Sequence, residues 1–589
     1  MQKYILFFLI ALGAFFSFTN LNWDNGFFLN WDERQIGESV QQIKWFSNLN
    51  PHFFKYGSLP IYIISLTGNF LNLFSEKDWT SWQNAVYIGR FLSAFLSVLL
   101  IPLTYLITKE LIQQKQNLSK NNKILNFSFL IFNYQYAPLL SAFFVTTSIG
   151  LIQHAHFATY QIVLTFESLI IFYLSLKILN LGQLEWAKNT KFSPKYSETA
   201  TKTTLKDSDT TPANVFQKIF CIRAHLLLVF IGIITGLSLA TKINNFSILP
   251  IPIIAILLCK TPIKQKLINL FLFFIFTLMF LFITAPYNFL DYPSFSATIK
   301  DEMEIASGRQ IFYNDQFIGS TPIIFQFTKI FPFIINPILT ILFILSFFWL
   351  VIKTLSKRNS FYLLLVTCIL SLFIPALFFS KWTRHLIPLL PFVYITISLF
   401  ITNMIQKIRS KVLLVTCVYP VGALLLVTFC LSYSFAFLNI YLTPHPAFKT
   451  LSWMSQNLPK NAKILTEDLD VTIDPIKKEF PDITLFDFYS LDNKVPPKTT
   501  TEELAQKLKE NEYFLILSRK VFQNRLKNPD LFPNSASFYD NLFQNRSEFV
   551  KIYESENPFQ IFGIKIDDNN SEESFQVYDH PQLLLFKKR

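Results

Sequence analysis

Apolar runs close to the length of a bilayer crossing recur from residue 4 to residue 440, and they constrain this chain more than any motif does. A helix needs about 20 predominantly apolar residues to cross the hydrocarbon core. Eleven such runs stand at about 4–20, 81–108, 125–152, 161–180, 224–241, 245–259, 267–285, 323–352, 361–379, 386–405 and 412–440. Composition agrees: 15% of the 589 residues are charged and the mean hydropathy is +0.35, whereas a soluble chain carries about 25% charged residues. The sequence predicts a multi-pass α-helical membrane protein over residues 1–441, followed by a soluble α/β domain over 442–589.

Charge sets the predicted orientation. Loops on one side hold Lys3, then Lys109, Lys115, Lys120 and Lys123, then the 181–223 segment, then Lys260, Lys264 and Lys266, then Lys353, Lys357 and Arg358, then Lys407, Arg409 and Lys411. Short loops of the other side hold chiefly Lys242, Lys381 and Arg384. Basic residues mark the cytoplasmic side, which puts the N-terminus inside and the C-terminal domain outside. The first run lacks a small-residue cleavage site and reads as an uncleaved anchor. Residues 55–74 are apolar but broken by Gly57, Pro60 and Gly68, and read as a helix at the outer surface or dipping part-way in. The stretch 185–215, rich in Lys, Thr and Ser, reads as a disordered cytoplasmic loop.

The net charge of +13 follows those loops. No basic stripe with interleaved aromatics lies in a soluble segment, which excludes nucleic acid as a partner. All five cysteines lie in or beside apolar runs, so neither a disulfide framework nor a zinc site is offered. In the C-terminal domain, Asn461 to Leu465 and Glu512 to Leu517 read as buried strands. Thr500 and Glu503 fit a capping box that opens a helix.

Chemistry concentrates in the outer loops. Asp32 and Glu33 form an acidic pair in the 21–80 loop, beside Trp23 and Trp31 at interfacial depth. One reading makes Asp32 the N-cap of a surface helix running to Trp45. The other makes it a base that draws a proton from a hydroxyl. Lys242, Arg384 and His385 fall on the same side, and together make a phosphate clamp next to that base. His52, Tyr56, His154 and His156 are further polar groups of this face and, with Gln161 and Arg309, are expected to contact the substrate. The 286–322 loop, long and polar, has the length of a substrate lid and carries Arg309.

The acidic pair, NPHFF with YGSLPIY, HFAT, GLSLATK and RHLIPLLP, in that order and on one side, resemble the bacterial protein O-mannosyltransferase and aminoarabinose-transferase group of GT-C glycosyltransferases. TPHPAFKTLSWMSQNLPKNAKILTED and ESFQVYDHPQLLLFKK also look like the outer domain of bacterial members. The resemblance implies a polyprenyl-phosphate-linked sugar donor, a protein, lipid or glycan acceptor, and a bacterial inner-membrane location. It implies Asp32 as general base, Glu33 as its orienting partner, and Lys242 and Arg384 as holders of the donor phosphate. His385 stands where relatives often carry Tyr. Gln161 stands where they carry a second acidic residue, with Glu167 further on; an amide hydrogen-bonds a hydroxyl but is neither a base nor a strong metal ligand. No cofactor is assigned, and a divalent metal stays compatible with the acidic pair. The alternative functions are a transporter or flippase for lipid-linked saccharides and a non-catalytic binding protein. A transporter calls for ionisable groups at mid-membrane and paired repeats with broken helices.

Overall fold

The computed structural model describes residues 1–118, 136–191, 212–309, 312–408, 419–469, 471–494, 496 and 498–589. The first part of the run expected at 125–152 and most of the 185–215 segment lie outside the described residues.

The N-terminal three-quarters of the chain is helical. In order come α1 Gln2–Phe18, α2 Trp31–Gln42, α3 Ser58–Asn72, α4 Trp82–Leu118, α5 Ala137–Thr146, α6 Ile149–Ala155, α7 Gln161–Lys191, α8 Pro212–Thr241, α9 Pro250–Leu258, α10 Ile263–Thr284, α11 Tyr287–Leu290 and α12 Tyr292–Ser307. After them come α13 Phe331–Ile334, α14 Pro337–Lys357, α15 Ser360–Phe373, α16 Leu390–Ile408 and α17 Tyr419–Leu442. Among the described residues, eight helices are long and apolar enough to cross a membrane: those built on α4, α7, α8, α10, α14, α15, α16 and α17. The count becomes nine if α5 and α6, bent by 51° at their junction, make one span. The expectation of about eleven spans is not confirmed by the described residues. The two runs that fall short are α1 and the Ile243–Leu258 segment, both apolar but shorter. Apolar composition alone did not reveal where Pro250 and the turn before it interrupt the second of these.

The lipid-facing character of these helices is plain in α10, where Phe271, Leu278 and Phe282 are exposed while Phe273 and Leu281 are buried. The chain is an integral membrane protein. Its C-terminal part is an α/β unit with a five-stranded sheet. The strands, in chain order, are β1 Ile464–Glu467, β2 Ile483–Phe486, β3 Tyr513–Ile516, β4 Phe549–Ser555, the hairpin β5 Gln560–Ile561 and β6 Ile564–Lys565, and β7 Leu583–Lys588. The sheet order is β2-β1-β3-β7-β4; β1 runs parallel to β2 and β3, and β7 antiparallel to β3 and β4. The Thr500 capping box forms: Glu503 N–H donates to the Thr500 hydroxyl at 3.1 Å, and Thr500 N–H donates to the Glu503 carboxylate at 2.9 Å.

The carboxyl ends of β1 and β3 face the helical bundle, and an apolar cluster that includes Phe333, Phe437 and Phe575 is joined there by polar contacts. Asn30 bridges to Val471 just after β1, and Arg34 pairs with Asp474 at 2.5 Å. Beyond β3, buried Arg525 pairs with Asp315 at 3.2 Å. Asp579 accepts from Gln153 in α6 at 3.1 Å and from the Tyr441 hydroxyl at the end of α17 at 2.7 Å.

Candidate functional site

The site begins at the first turn of α2. Asn30, not Asp32, is the N-cap: its side-chain oxygen accepts from the Asp32 N–H at 3.0 Å. The capping reading of Asp32 is thereby corrected. Asp32 sits inside the first turn, where the helix dipole favours a carboxylate, and its side chain is left for other contacts. One oxygen accepts from Arg384 at 2.8 Å, with side chains 17% and 26% exposed respectively.

Glu33, one residue on, points elsewhere and is fully buried. Its two oxygens accept from Arg90 of α4 at 2.9 and 2.6 Å, and one also accepts from Ala158 N–H at 2.6 Å. The same guanidinium donates to both oxygens of buried Asp24, at 3.1 and 2.5 Å. Burial lifts the Glu33 carboxyl above its usual range, against the pull of Arg90. At Asp24 burial acts the same way, but Arg90 and the backbone donors of Leu29 and Gly26 win, and the carboxyl is held low. Glu33 thus ties α2 to α4 and has no bond to Asp32.

Arg384 and His385 lie in the short 3-10 turn Thr383–His385 that leads into α16. The turn is fixed from the C-terminal unit, where the Glu572 carboxylate accepts from Thr383 N–H at 2.9 Å. Opposite stands Lys242, directly after α8. Its Nζ donates to the Tyr160 hydroxyl at 2.9 Å and lies 4.5 and 5.1 Å from the ring centres of Tyr160 and Tyr56. The Tyr56 and Tyr160 rings are 4.7 Å apart. Gly57 brings this loop against α8: its N–H donates to Thr241 O at 2.9 Å, and a Cβ there would collide with the carbonyl of Ala240. Burial pushes the Tyr56 hydroxyl well above the usual tyrosine range; the charge of Asp32 adds to this and Arg384 opposes it, with Tyr160 and Tyr578 close enough to contribute. One acidic group, two cations and three tyrosines therefore converge at the end of the bundle that carries the α/β unit.

The remaining residues singled out in the sequence scatter. His154 is buried nearby, edge-on to Phe157. His156 has both ring nitrogens on carbonyl oxygens, of Ile152 and Thr19, each at 2.8 Å, and stacks on Tyr441 at 3.8 Å; it braces the bundle. Gln161 is buried at the start of α7. Glu167 accepts from the Thr241 hydroxyl at 2.8 Å, beside the Lys242 turn. His52 is exposed, with a φ of 48°. Arg309 is exposed just past the end of α12, its N–H on Glu304 O at 3.0 Å. Sequence reasoning missed Arg90, Asp24, Tyr160 and Tyr578. A lone Arg inside an apolar run calls for a buried partner, and that signal was present at Arg90. Tyr160 adjoins Gln161, while nothing local marks Tyr578.

Several buried polar atoms around the cluster have no protein partner: Arg384 Nε, His385 Nδ1, Thr383 Oγ1, His154 Nδ1 and Gln161 Oε1. Such atoms are rare in a protein interior and call for an explanation, a bound polar ligand being one. A divalent cation fits the site poorly. Asp32 faces a guanidinium, both Glu33 oxygens face Arg90, and Gln161 is neutral. Among the described residues, no group of three or more His, Cys, Asp or Glu side chains stands together as a metal set.

Fold and site together define a multi-pass membrane protein with an acid–cation cluster held between the bundle and an α/β unit. No family model matches the chain, and no curated protein does. Solved structures similar to it include the apo oligosaccharyltransferase of Archaeoglobus fulgidus, at 12% identity and a TM-score of 0.48, covering 100% of this chain and 88% of that one. AglB of the same organism, in complex with an inhibitory peptide and a dolichol-phosphate, matches at 12% and 0.46, covering 100% and 89%. ArnT from Cupriavidus metallidurans bound to undecaprenyl phosphate matches at 10% and 0.38, covering 98% and 97%. Likeness this distant carries no argument about chemistry, which rests on the side chains.

Proposed function

We propose that this chain is a membrane glycosyltransferase of the GT-C type, moving one sugar from a polyprenyl-phosphate donor to a hydroxyl acceptor outside the cytoplasm. The observation that carries this reading is the Asp32–Arg384 pair at 2.8 Å, mostly buried but reachable from solvent, with Lys242 seated on the adjacent Tyr56 and Tyr160 rings. A guanidinium and an ammonium suit a phosphate ester; a carboxylate next to them suits a proton acceptor.

In this reading the donor phosphate competes with Asp32 for Arg384, and its arrival leaves the carboxylate facing the acceptor. The acceptor oxygen attacks the anomeric carbon while Asp32 takes its proton. The bond from that carbon to the phosphate oxygen breaks, and the electron pair leaves with the polyprenyl phosphate. Arg384 and Lys242 hold the charge that develops there. One displacement inverts the anomeric centre. Glu33 contributes by fixing α2, hence Asp32, through Arg90. Residues 1–441 form the catalytic part, and 442–589 brace it through Glu572 and Tyr578, on the outer face of a bacterial inner membrane. The acceptor is a protein, lipid or glycan.

Comparative mass spectrometry of envelope glycans and glycoproteins tests the reading. Cells lacking the chain should lose one sugar-bearing species, restored by the wild-type gene and not by Arg384→Gln. An identical profile in all three strains counts against it.

A further inference from the structure

The hairpin β5–β6 is built unlike the rest of the α/β unit. Its turn places Phe562 at φ 50° and Gly563 at φ 78°. Both central residues of a two-residue turn in this region favour Asn or Gly, and a bulky aromatic side chain is disfavoured there. Phe562 gains no protein packing in return, being 95% exposed, and Ile564 beside it is 68% exposed.

Position accounts for both features. The root of the hairpin, Phe559, packs on α17: its ring lies 4.8 Å from Tyr433 and 5.6 Å from Phe437. At 1.5 Å per residue, these two tyrosine and phenylalanine positions lie about 14 and 8 Å below Leu442, where α17 ends. A groove of about 620 Å³ opens between hairpin and helix, its lining mostly apolar: Leu431 and Phe435 with the polar Ser432 and Asn439 on one side, Ile561 and Phe562 on the other. It is continuous with the exposed apolar face of α17, where Leu424, Leu425 and Phe435 turn outward on a helix long and apolar enough to span a membrane. The surface that the hairpin extends is thus the surface that lipid covers.

We propose that the β5–β6 hairpin is a membrane-seated finger, its tip in the outer leaflet and the groove beside α17 filled by a lipid acyl chain. Its size fits a shallow seat. Only two residue pairs hold it, Gln560 with Lys565 and Ile561 with Ile564, and unpaired strand edges do not enter the hydrocarbon core. The tip itself is uncharged, and Lys565 at the base, paired with Glu556 at 2.6 Å, lies where a cation reaches the headgroups. The finger would hold the α/β unit at a fixed height over the bundle.

A benzophenone amino acid at position 562 tests this in full-length protein reconstituted in phosphatidylethanolamine–phosphatidylglycerol nanodiscs. Position 562 makes so few contacts that the fold tolerates the replacement, and thermal stability matching wild type verifies it. The control is position 509, an exposed lysine on the helix Thr501–Glu510, near the amino ends of the parallel strands. Irradiation should give phospholipid adducts at 562 and none above background at 509. Equal lipid labelling at the two positions overturns the proposal, and so does cross-linking of 562 to another protein chain.

Discussion

Arg90 serves two carboxylates from inside α4, and its guanidinium has no exposed side chain to relieve it: both salt bridges, at 2.5 and 2.6 Å, join groups that are 0% exposed. Removing one partner of a buried set leaves the others uncompensated, at a cost of about 3–5 kcal/mol. Arg90→Met is therefore expected to destroy or sharply lower the stability of the purified protein, read as its thermal transition in detergent. Glu33→Gln, which leaves the Arg90–Asp24 bond in place, is expected to fall between the two; a catalytic defect at wild-type stability would assign Glu33 a chemical part after all. At this scale the sequence was informative where residues act by type and side. Asp32, Lys242 and Arg384 fall in loops between apolar runs, and the fold pairs Asp32 with Arg384 and sets Lys242 against the neighbouring Tyr56 and Tyr160 rings. Glu33 was not readable, because its partner lies on another helix and adjacency to Asp32 says nothing of direction.

At the scale of elements, the cluster depends on how closely the Tyr56 loop approaches α8. Gly57 permits a backbone bond to Thr241, directly before Lys242. Gly57→Ala should force the loop outward, destabilising by roughly 1–3 kcal/mol as overpacking does. It should also move the Tyr56 ring away from Lys242. Weaker donor binding with little change in the turnover of bound donor is the expected result, measured by titration of a polyprenyl-phosphate sugar; unchanged affinity would show that the approach is incidental. Local signals were read well where local physics decides. The Thr500 capping box and the strands β1 and β3 lie within a few residues of their expected places. The N-cap of α2 fell to Asn30 because any Asn or Asp near a helix start can take that role. The expected eleven spans are not confirmed for a related reason, since hydropathy registers apolar length and not the breaks inside it.

At the scale of the molecule, the α/β unit is fastened to the bundle by buried ionisable groups. His580 lies between Asp579 at 2.5 Å and Asp568 at 2.8 Å, and Asp579 in turn holds Gln153 and Tyr441. Burial works against the charged ring, but the two carboxylates prevail and hold it up to about 9, above the ordinary 6.5. A histidine raised in the folded state stabilises fully below its unfolded value and loses that contribution as pH climbs through the folded one. The melting temperature of the wild type should therefore fall between about pH 6.5 and 9, while that of His580→Gln, lower at the start, should change less over the same range. Parallel curves would remove His580 from the fastening. None of this was legible beforehand. The sequence offered a terminal motif, ESFQVYDHPQ, but contacts from residue 579 to residues 153 and 441 depend on the closed tertiary structure.

The arrangement of bundle, α/β unit and cluster has its sharpest expression in one carboxylate. Asp32→Asn keeps the shape of the side chain and removes its capacity to take a proton. In a reconstituted assay with a polyprenyl-phosphate sugar, transfer should fall by roughly 10²–10⁴-fold, the range that a positioned general base contributes. Binding of the donor should persist, because Arg384 is then free of its competitor. Transfer at the wild-type rate by the Asp32→Asn protein would contradict the account.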